Sequence, residues 1–191
     1  DMVLQAYQSF SPTLADIIRD LQKHNRIDAP ATKGRRGGAF NYSSVFPGNV
    51  PASFTFLNYI GSTRDAMTLA HELGHGVHGI LAGQAQGPLM CHAPTAYAET
   101  ASVFGEMTTF NFLKSRLLQK NDTKSLLALV MSKLDDILNT SVRQIGFSNF
   151  ERRIHGMDAS YKEWKEPKKL SVEELNSIWL ETTKELYGED G

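Results

Sequence analysis

The sequence predicts a mainly α fold: helices, with one small β-hairpin or sheet placed just before a long central helix. Three observations carry this. Apolar residues recur at i, i+3, i+4 and i+7 through most of the chain, the spacing of one helix face. Strand-forming residues are confined to one stretch, residues 39–60. A serine followed three residues later by an acid, the signature of a capping box, opens two of the periodic segments, at Ser62/Asp65 and Ser171/Glu174. With 191 residues, 41% of them apolar and 21% charged, the chain has the make-up of one globular domain with a real core, and residues 1–191 are read as such.

Residues 11–24 form the first expected helix. Ser11 can cap it, Pro12 suits its first turn, and Leu14, Ile17, Ile18 and Leu21 share a face. Residues 28–38 carry prolines and glycines without a period and read as loop or hairpin. Phe40, Tyr42, Val45 and Phe46 then favour a strand, Pro47-Gly48-Asn49 a turn, and S-F-T-F-L-N-Y-I (53–60) a second strand, with Phe54, Phe56, Asn58 and Ile60 on one face and Thr55, Leu57 and Tyr59 on the other. Gly61 ends it.

The central helix is expected over residues 62–83, capped by Ser62 and stopped at Gly83. It is apolar on several sides, as a buried helix is. Gly74, Gly76 and Gly79 each cost about 1 kcal/mol against alanine, so close approach of another backbone or of a substrate is their expected reason. Residues 84–94 read as loop, 95–120 as a third helix, and 123–156 as a long fourth one. The buried stripe of the fourth is expected from Leu126, Leu127, Leu129, Val130, Leu134, Ile137, Leu138, Val142 and Ile145, with a bend at Gly146. A polar irregular segment precedes a last helix over 172–187, ended by Gly188.

Composition excludes several classes. Net charge is −1, so no polyanionic partner is indicated, and Lys33-Gly34-Arg35-Arg36 reads as a solvated hairpin tip rather than a nucleic-acid patch. One cysteine, Cys91, cannot form an internal disulfide. No apolar run is long enough to span a membrane and no signal peptide opens the chain, so the expectation is a soluble, cytoplasmic protein without nucleic-acid or membrane partners; its oligomeric state is left open.

The chemistry lies in H-E-L-G-H, residues 71–75. Residues four apart on a helix share a face, so His71 and His75 aim two imidazoles at one point, and Glu72 flanks it. Two such nitrogens suit one zinc ion, which needs a third protein ligand and an open position for water. Candidates are Cys91, His92 and the acids of the third helix. Glu99 is the choice: its neighbours Ala96, Ala98, Ala101, Ser102 and Gly105 allow that helix to pack closely on the central one, and a glutamate on such a face has few alternatives to a cation. Glu106 and His92 are the substitutes. Glu106, seven residues after Glu99, is otherwise read as the acceptor for a ligand histidine's second N–H. His78 reads as a packed core histidine and Cys91 as a small buried residue. Zinc lowers the pKa of its water, and Glu72 is the base that takes the proton during attack on an amide carbonyl. The strand 53–60 could hold an extended peptide by strand addition.

L-A-H-E-L-G-H-G-V-H-G (69–79) followed by E-T-A-S-V-F-G-E (99–106) resembles the oligoendopeptidase F branch of the thimet oligopeptidase family; K-G-R-R-G-G-A-F (33–40), L-N-Y-I-G (57–61) and R-Q-I-G-F-S-N-F-E (143–151) resemble it too. The resemblance implies a zincin-like catalytic core, zinc ligands at His71, His75 and Glu99, and the catalytic glutamate at Glu72. It also implies a channelled, cytoplasmic bacterial peptidase that takes short unstructured peptides. Family members are considerably longer. After the helix matching residues 171–188 they carry a histidine and tyrosines that contact substrate and steady the oxyanion, and an N-terminal helical half walls their channel. The expectation is therefore a zinc-dependent metalloendopeptidase core that binds zinc and by itself hydrolyses peptides weakly. The alternative is a zinc-binding fragment or interaction module without turnover. Exposed apolar surface is the expected liability of the absent parts.

Overall fold

The computed structural model describes residues 2–188. Six helices and one three-stranded sheet form in the order α1 (Met2–Phe10), α2 (Pro12–Lys23), β1 (Ile27–Pro30), β2 (Phe40–Phe46), β3 (Val50–Tyr59), α3 (Thr63–Gln86), α4 (Thr95–Gln119), α5 (Thr123–Ile154) and α6 (Val172–Tyr187). The fold is mainly helical with a small sheet ahead of the H-E-L-G-H helix, as the sequence predicts. By internal contacts the chain divides into two units, Asp1–Leu129 and Val130–Gly191.

In the first unit a core of Val3, Tyr7, Ala15, Ile18, Leu21, Ala66, Ala70, Leu73 and Val77 joins α1, α2 and α3. Helix α1 carries no start or stop signal and was not expected; its buried Val3, Ala6 and Tyr7 hold it. Ser11 does sit at the N-cap of α2 in extended conformation, but its side chain makes no capping bond, and Pro12 at the first position is what starts that helix. The sheet has the order β1-β3-β2. Strand β1 overlaps the start of the segment read as loop or hairpin and runs parallel to β3, a pairing that local pattern cannot reveal. Strand β3 begins three residues earlier than expected and turns Ser53, Thr55 and Leu57 inward, leaving Phe54 on the opposite, exposed face.

Helix α3 opens with both halves of the expected capping box, Ser62 accepting from the Asp65 N–H and Asp65 from the Ser62 N–H. Its end is a correction. The helix passes through Gly83 to Gln86 and is terminated by Gly87, at φ 70°. Gly83 is buried, and a Cβ there would meet Val45 and Pro51 of the sheet at 2.9 and 3.0 Å. The other glycines divide by neighbour. A Cβ on Gly76 would crowd Ser53 and Asn41, and one on Gly79 would overlap Ser43. Only Gly74 faces α4, where a Cβ would lie 2.5 Å from the Ala101 carbonyl oxygen and 2.8 Å from the Ser102 Cα. The glycines thus serve the sheet more than the Glu99 helix.

The apolar stripe expected to be buried on α5 is largely exposed: Leu127 at 62%, Leu134, Ile137, Leu138 and Ile145 all face out, and Leu129 is its buried member. Within the second unit, Trp179 of α6 stacks on Phe147 and meets Phe150 edge-on, and a Cβ on Gly146 would overlap Leu186. Gly146 thus makes room for α6. The Ser171/Glu174 capping box forms with both bonds.

The Gly74 contact is with backbone, which has no easy way to yield. Gly74→Ala is expected to destabilise the chain by about 1–3 kcal/mol. Gly37→Ala, where nothing lies within 4 Å, is expected to stay within about 0.5 kcal/mol of the parent. Urea unfolding checks both, and equal midpoints for the two variants would contradict the packing argument.

Candidate metal centre

Helices α3 and α4 build the site. His71 and His75 lie one turn apart on α3, their rings 4.9 Å apart and nearly perpendicular. Across the narrow contact made by Gly74 and Gly105, α4 presents Glu99. One of its carboxylate oxygens, Oε2, lies 3.4 Å from His71 Nε2 and 3.6 Å from His75 Nε2. The three donor atoms all lie within 4.8 Å of one another, and among the described residues this is the cluster of that kind. Zinc–ligand bonds of about 2.0–2.2 Å in a tetrahedron put ligand atoms about 3.3–3.6 Å apart. The donor set and its spacing therefore fit a zinc ion. The structure brings together the two histidines and Glu99; Cys91 and His92 are not in the cluster.

Glu106, two turns on from Glu99, accepts a hydrogen bond from His71 Nδ1 at 2.6 Å. That bond fixes the Nδ1–H tautomer and turns Nε2 toward Glu99. It also pushes the His71 pKa up, burial opposing it. His75 is shifted the other way, down, chiefly by burial, with Glu99 pulling against that. Glu72, 7% exposed, has its carboxyl pKa raised by burial; the neighbouring His71 charge works against the shift and Glu99 adds to it. A raised proton affinity is what a carboxylate that accepts and returns a proton needs.

Sequence reading left two side chains out of this site. Ser102 was counted only as a small packing residue, yet its hydroxyl, fully buried, contacts Glu99 Oε2 at 2.7 Å. Tyr7, buried on the unexpected α1, donates to the Ala70 carbonyl oxygen at 2.9 Å, next to His71, and its hydroxyl occupies the space where a Gly105 Cβ would be. The serine sits one turn after the glutamate, a spacing that could have flagged it. Tyr7 carries no local signal. His78 is half-buried. Cys91 is buried and free, its Sγ 3.5 Å from the Pro88 carbonyl oxygen.

The strand-addition expectation for residues 53–60 needs correction. β3 is the central strand, engaged by β2 along residues 50–56 and by β1 near residues 55–59. Residues 53–56 are already paired to β2 on one side and residues 55–59 to β1 on the other, so β3 has no edge free along its whole length. Among the described residues the antiparallel edge left open is that of β2.

Comparison with known proteins gives these features a family. The profile of peptidase family M3 matches residues 11–190. The chain is 34% identical over 163 residues to the chromosomal oligoendopeptidase F of Lactococcus lactis subsp. cremoris, covering 85% of this chain and 25% of that protein. It is 26% identical over 189 residues to the oligopeptidase PepF of Bacillus subtilis, covering 99% and 26%. The solved structure of PZ peptidase A with an inhibitor superposes with a TM-score of 0.71 at 19% identity, covering 99% of this chain and 32% of that one, which speaks to the fold alone. The chain spans about a quarter to a third of the length of these proteins.

The Glu106 bond predicts a titration in the metal-free chain. Glu106→Gln should lower the His71 pKa toward or below the usual imidazole value of about 6.5, followed by imidazole NMR. The sign follows from linkage: a folded-state pKa raised by Glu106 contributes stability that is full below the unfolded value and fades as pH rises through the folded one. An unchanged His71 titration in the variant would remove Glu106 as the cause.

Proposed function

The chain belongs to peptidase family M3, and on that premise we propose that it is the catalytic core of a zinc-dependent metalloendopeptidase acting on short oligopeptides. The observation that carries the reading is the convergence of donor atoms of His71, His75 and Glu99 within 4.8 Å of one another, with Glu72 on the next face of the same helix. A zinc ion held by those three residues would supply a Lewis acid for the scissile carbonyl and for the attacking water. Glu72 takes the proton that this water gives up as its oxygen bonds to the carbonyl carbon. It then delivers the proton to the amide nitrogen as the C–N bond breaks. Glu106 holds the His71 ring in place through both steps.

The substrate is an extended peptide laid along the open edge of β2. Gly76, Gly79 and Gly83 of α3 face Asn41, Ser43 and Val45 of β2 in turn. Continuing that register one turn back along the helix brings Glu72 level with residues 38–40, where β2 begins. A peptide paired to β2 there has its carbonyls beside the proposed base. A cytoplasmic location is part of the reading and rests on the resemblance and the single cysteine; no helix among the described residues is long and apolar enough to cross a membrane.

A second reading, a zinc-binding unit without turnover of its own, is favoured by the apolar face that α5 leaves in solvent.

Zinc analysis and a quenched-fluorescence peptide assay test both readings. About one zinc per chain is expected, lost in His75→Ala and in Glu99→Ala. Weak, chelator-sensitive turnover is expected from residues 1–191, falling by about 10²–10⁴ in Glu72→Gln while zinc is retained. Zinc uptake without any turnover selects the second reading. Zinc content unaffected by His75→Ala would sink the metal centre itself.

A further inference from the structure

We infer that Ser102 is a positioning residue of the metal centre, whose buried hydroxyl fixes the rotamer of Glu99 before metal arrives. The inference rests on the proposed zinc site and adds a residue to it. Glu99 is the one member of the ligand set that is exposed, its side chain 48% accessible against 28% for His71 and 20% for His75. A glutamate so placed has three side-chain torsions to settle and little packing to settle them, so ordering it on a ligand costs conformational entropy. Ser102 removes part of that freedom. It sits one turn along α4 and is fully buried against Gly74 of α3. Its Oγ lies 2.7 Å from Glu99 Oε2 and 3.0 Å from the Glu99 carbonyl oxygen.

A hydroxyl has one proton, so it donates to one of these acceptors at a time. The shorter contact is to the carboxylate, and a charged acceptor makes the stronger bond. The oxygen it holds is the same Oε2 that faces both His71 Nε2 and His75 Nε2. The arrangement mirrors the other half of the site. Glu106 orients His71, and Ser102 orients Glu99, both through side chains of α4. The plain structural alternative is a serine that merely bonds back to its own helix carbonyl, as serines in helices commonly do. That role would affect folding and leave metal affinity alone.

The experiment is zinc affinity by chelator competition on residues 1–191, read beside the melting temperature of the metal-free chain. Ser102→Ala is expected to weaken zinc binding by about 10- to 100-fold, the range for residues that orient a ligand, with the metal-free melting temperature little changed. Wild-type-like affinity in Ser102→Ala overturns the inference. If Ser102→Ala lowers the metal-free melting temperature, Ser102→Thr decides, because it keeps the hydroxyl donor. Zinc affinity restored toward wild type in Ser102→Thr supports the positioning role, and affinity as weak as in Ser102→Ala overturns it. Failure of the parent chain to take up zinc is a different result, and it removes the metal centre rather than this residue's place in it.

Discussion

The distance between α3 and α4 is the constraint on which the site depends. It is set by reciprocal glycines. A Cβ on Gly74 would lie 2.5 Å from the Ala101 carbonyl oxygen, and one on Gly105 would lie 2.5 Å from the Ala70 carbonyl oxygen. Each glycine thus touches the residue just before a functional side chain of the other helix, Ser102 on α4 and His71 on α3. Ordinary helix pairs stand about 8–10 Å apart with side chains between them. Where glycine replaces the intervening side chain, the backbones close up and side chains as short as Glu and His meet across the gap. Two residues each costing about 1 kcal/mol in helix propensity are tolerable only where that approach has a use.

The charges brought together by this approach do not balance on their own. Glu72, Glu99 and Glu106 surround two imidazoles that can carry at most two positive charges between them. The strain shows in the directions of the shifts: Glu72 is pushed toward its neutral form, His71 is drawn toward its charged form by Glu106, and His75 is driven toward neutral by burial. A divalent cation among these groups inverts that logic. Held by His71, His75 and Glu99, such an ion would compete with protons for the imidazoles and would favour the ionised carboxylates around it.

What the sequence revealed was local. The capping boxes at Ser62 and Ser171 involve residues three apart, and both form as read. The H-E-L-G-H spacing fixes two imidazoles on one helix face without reference to the rest of the chain. Glu99 was legible because a small-residue helix surface around one acid is a local pattern with a tertiary meaning. The features that escaped are those decided by distant partners. Helix α1 exists because Tyr7 reaches Ala70, and strand β1 because it pairs with residues far along the chain. Gly83 looked like a helix stop, since a glycine after an apolar run usually is one; the sheet beneath it made the helix continue. The apolar face of α5 was read as buried because periodicity reports which residues share a face, not whether anything covers it.

The stripe of α3 that carries Glu72 packs on the sheet through its glycines. Glu72, Gly76, Gly79 and Gly83 fall on one stripe of α3, at helical intervals of four, three and four. Below the glycines the inner face of the sheet carries Asn41, Ser43, Ser53 and Thr55 rather than large apolar residues. Their polar atoms satisfy one another: Asn41 Nδ2 donates to Ser53 Oγ at 2.8 Å and Thr55 Oγ1 at 3.0 Å, and Ser43 Oγ donates to Asn41 Oδ1 at 3.0 Å. A layer of small, mutually bonded side chains against a layer of glycines is thinner than the usual separation of about 10 Å between packed layers. Larger residues on either side would lift the sheet away and carry the open edge of β2 with it. The glycines that weaken α3 as a helix therefore hold the proposed substrate strand close to the proposed base, and the same small residues make that closeness cost little in unpaired polar groups.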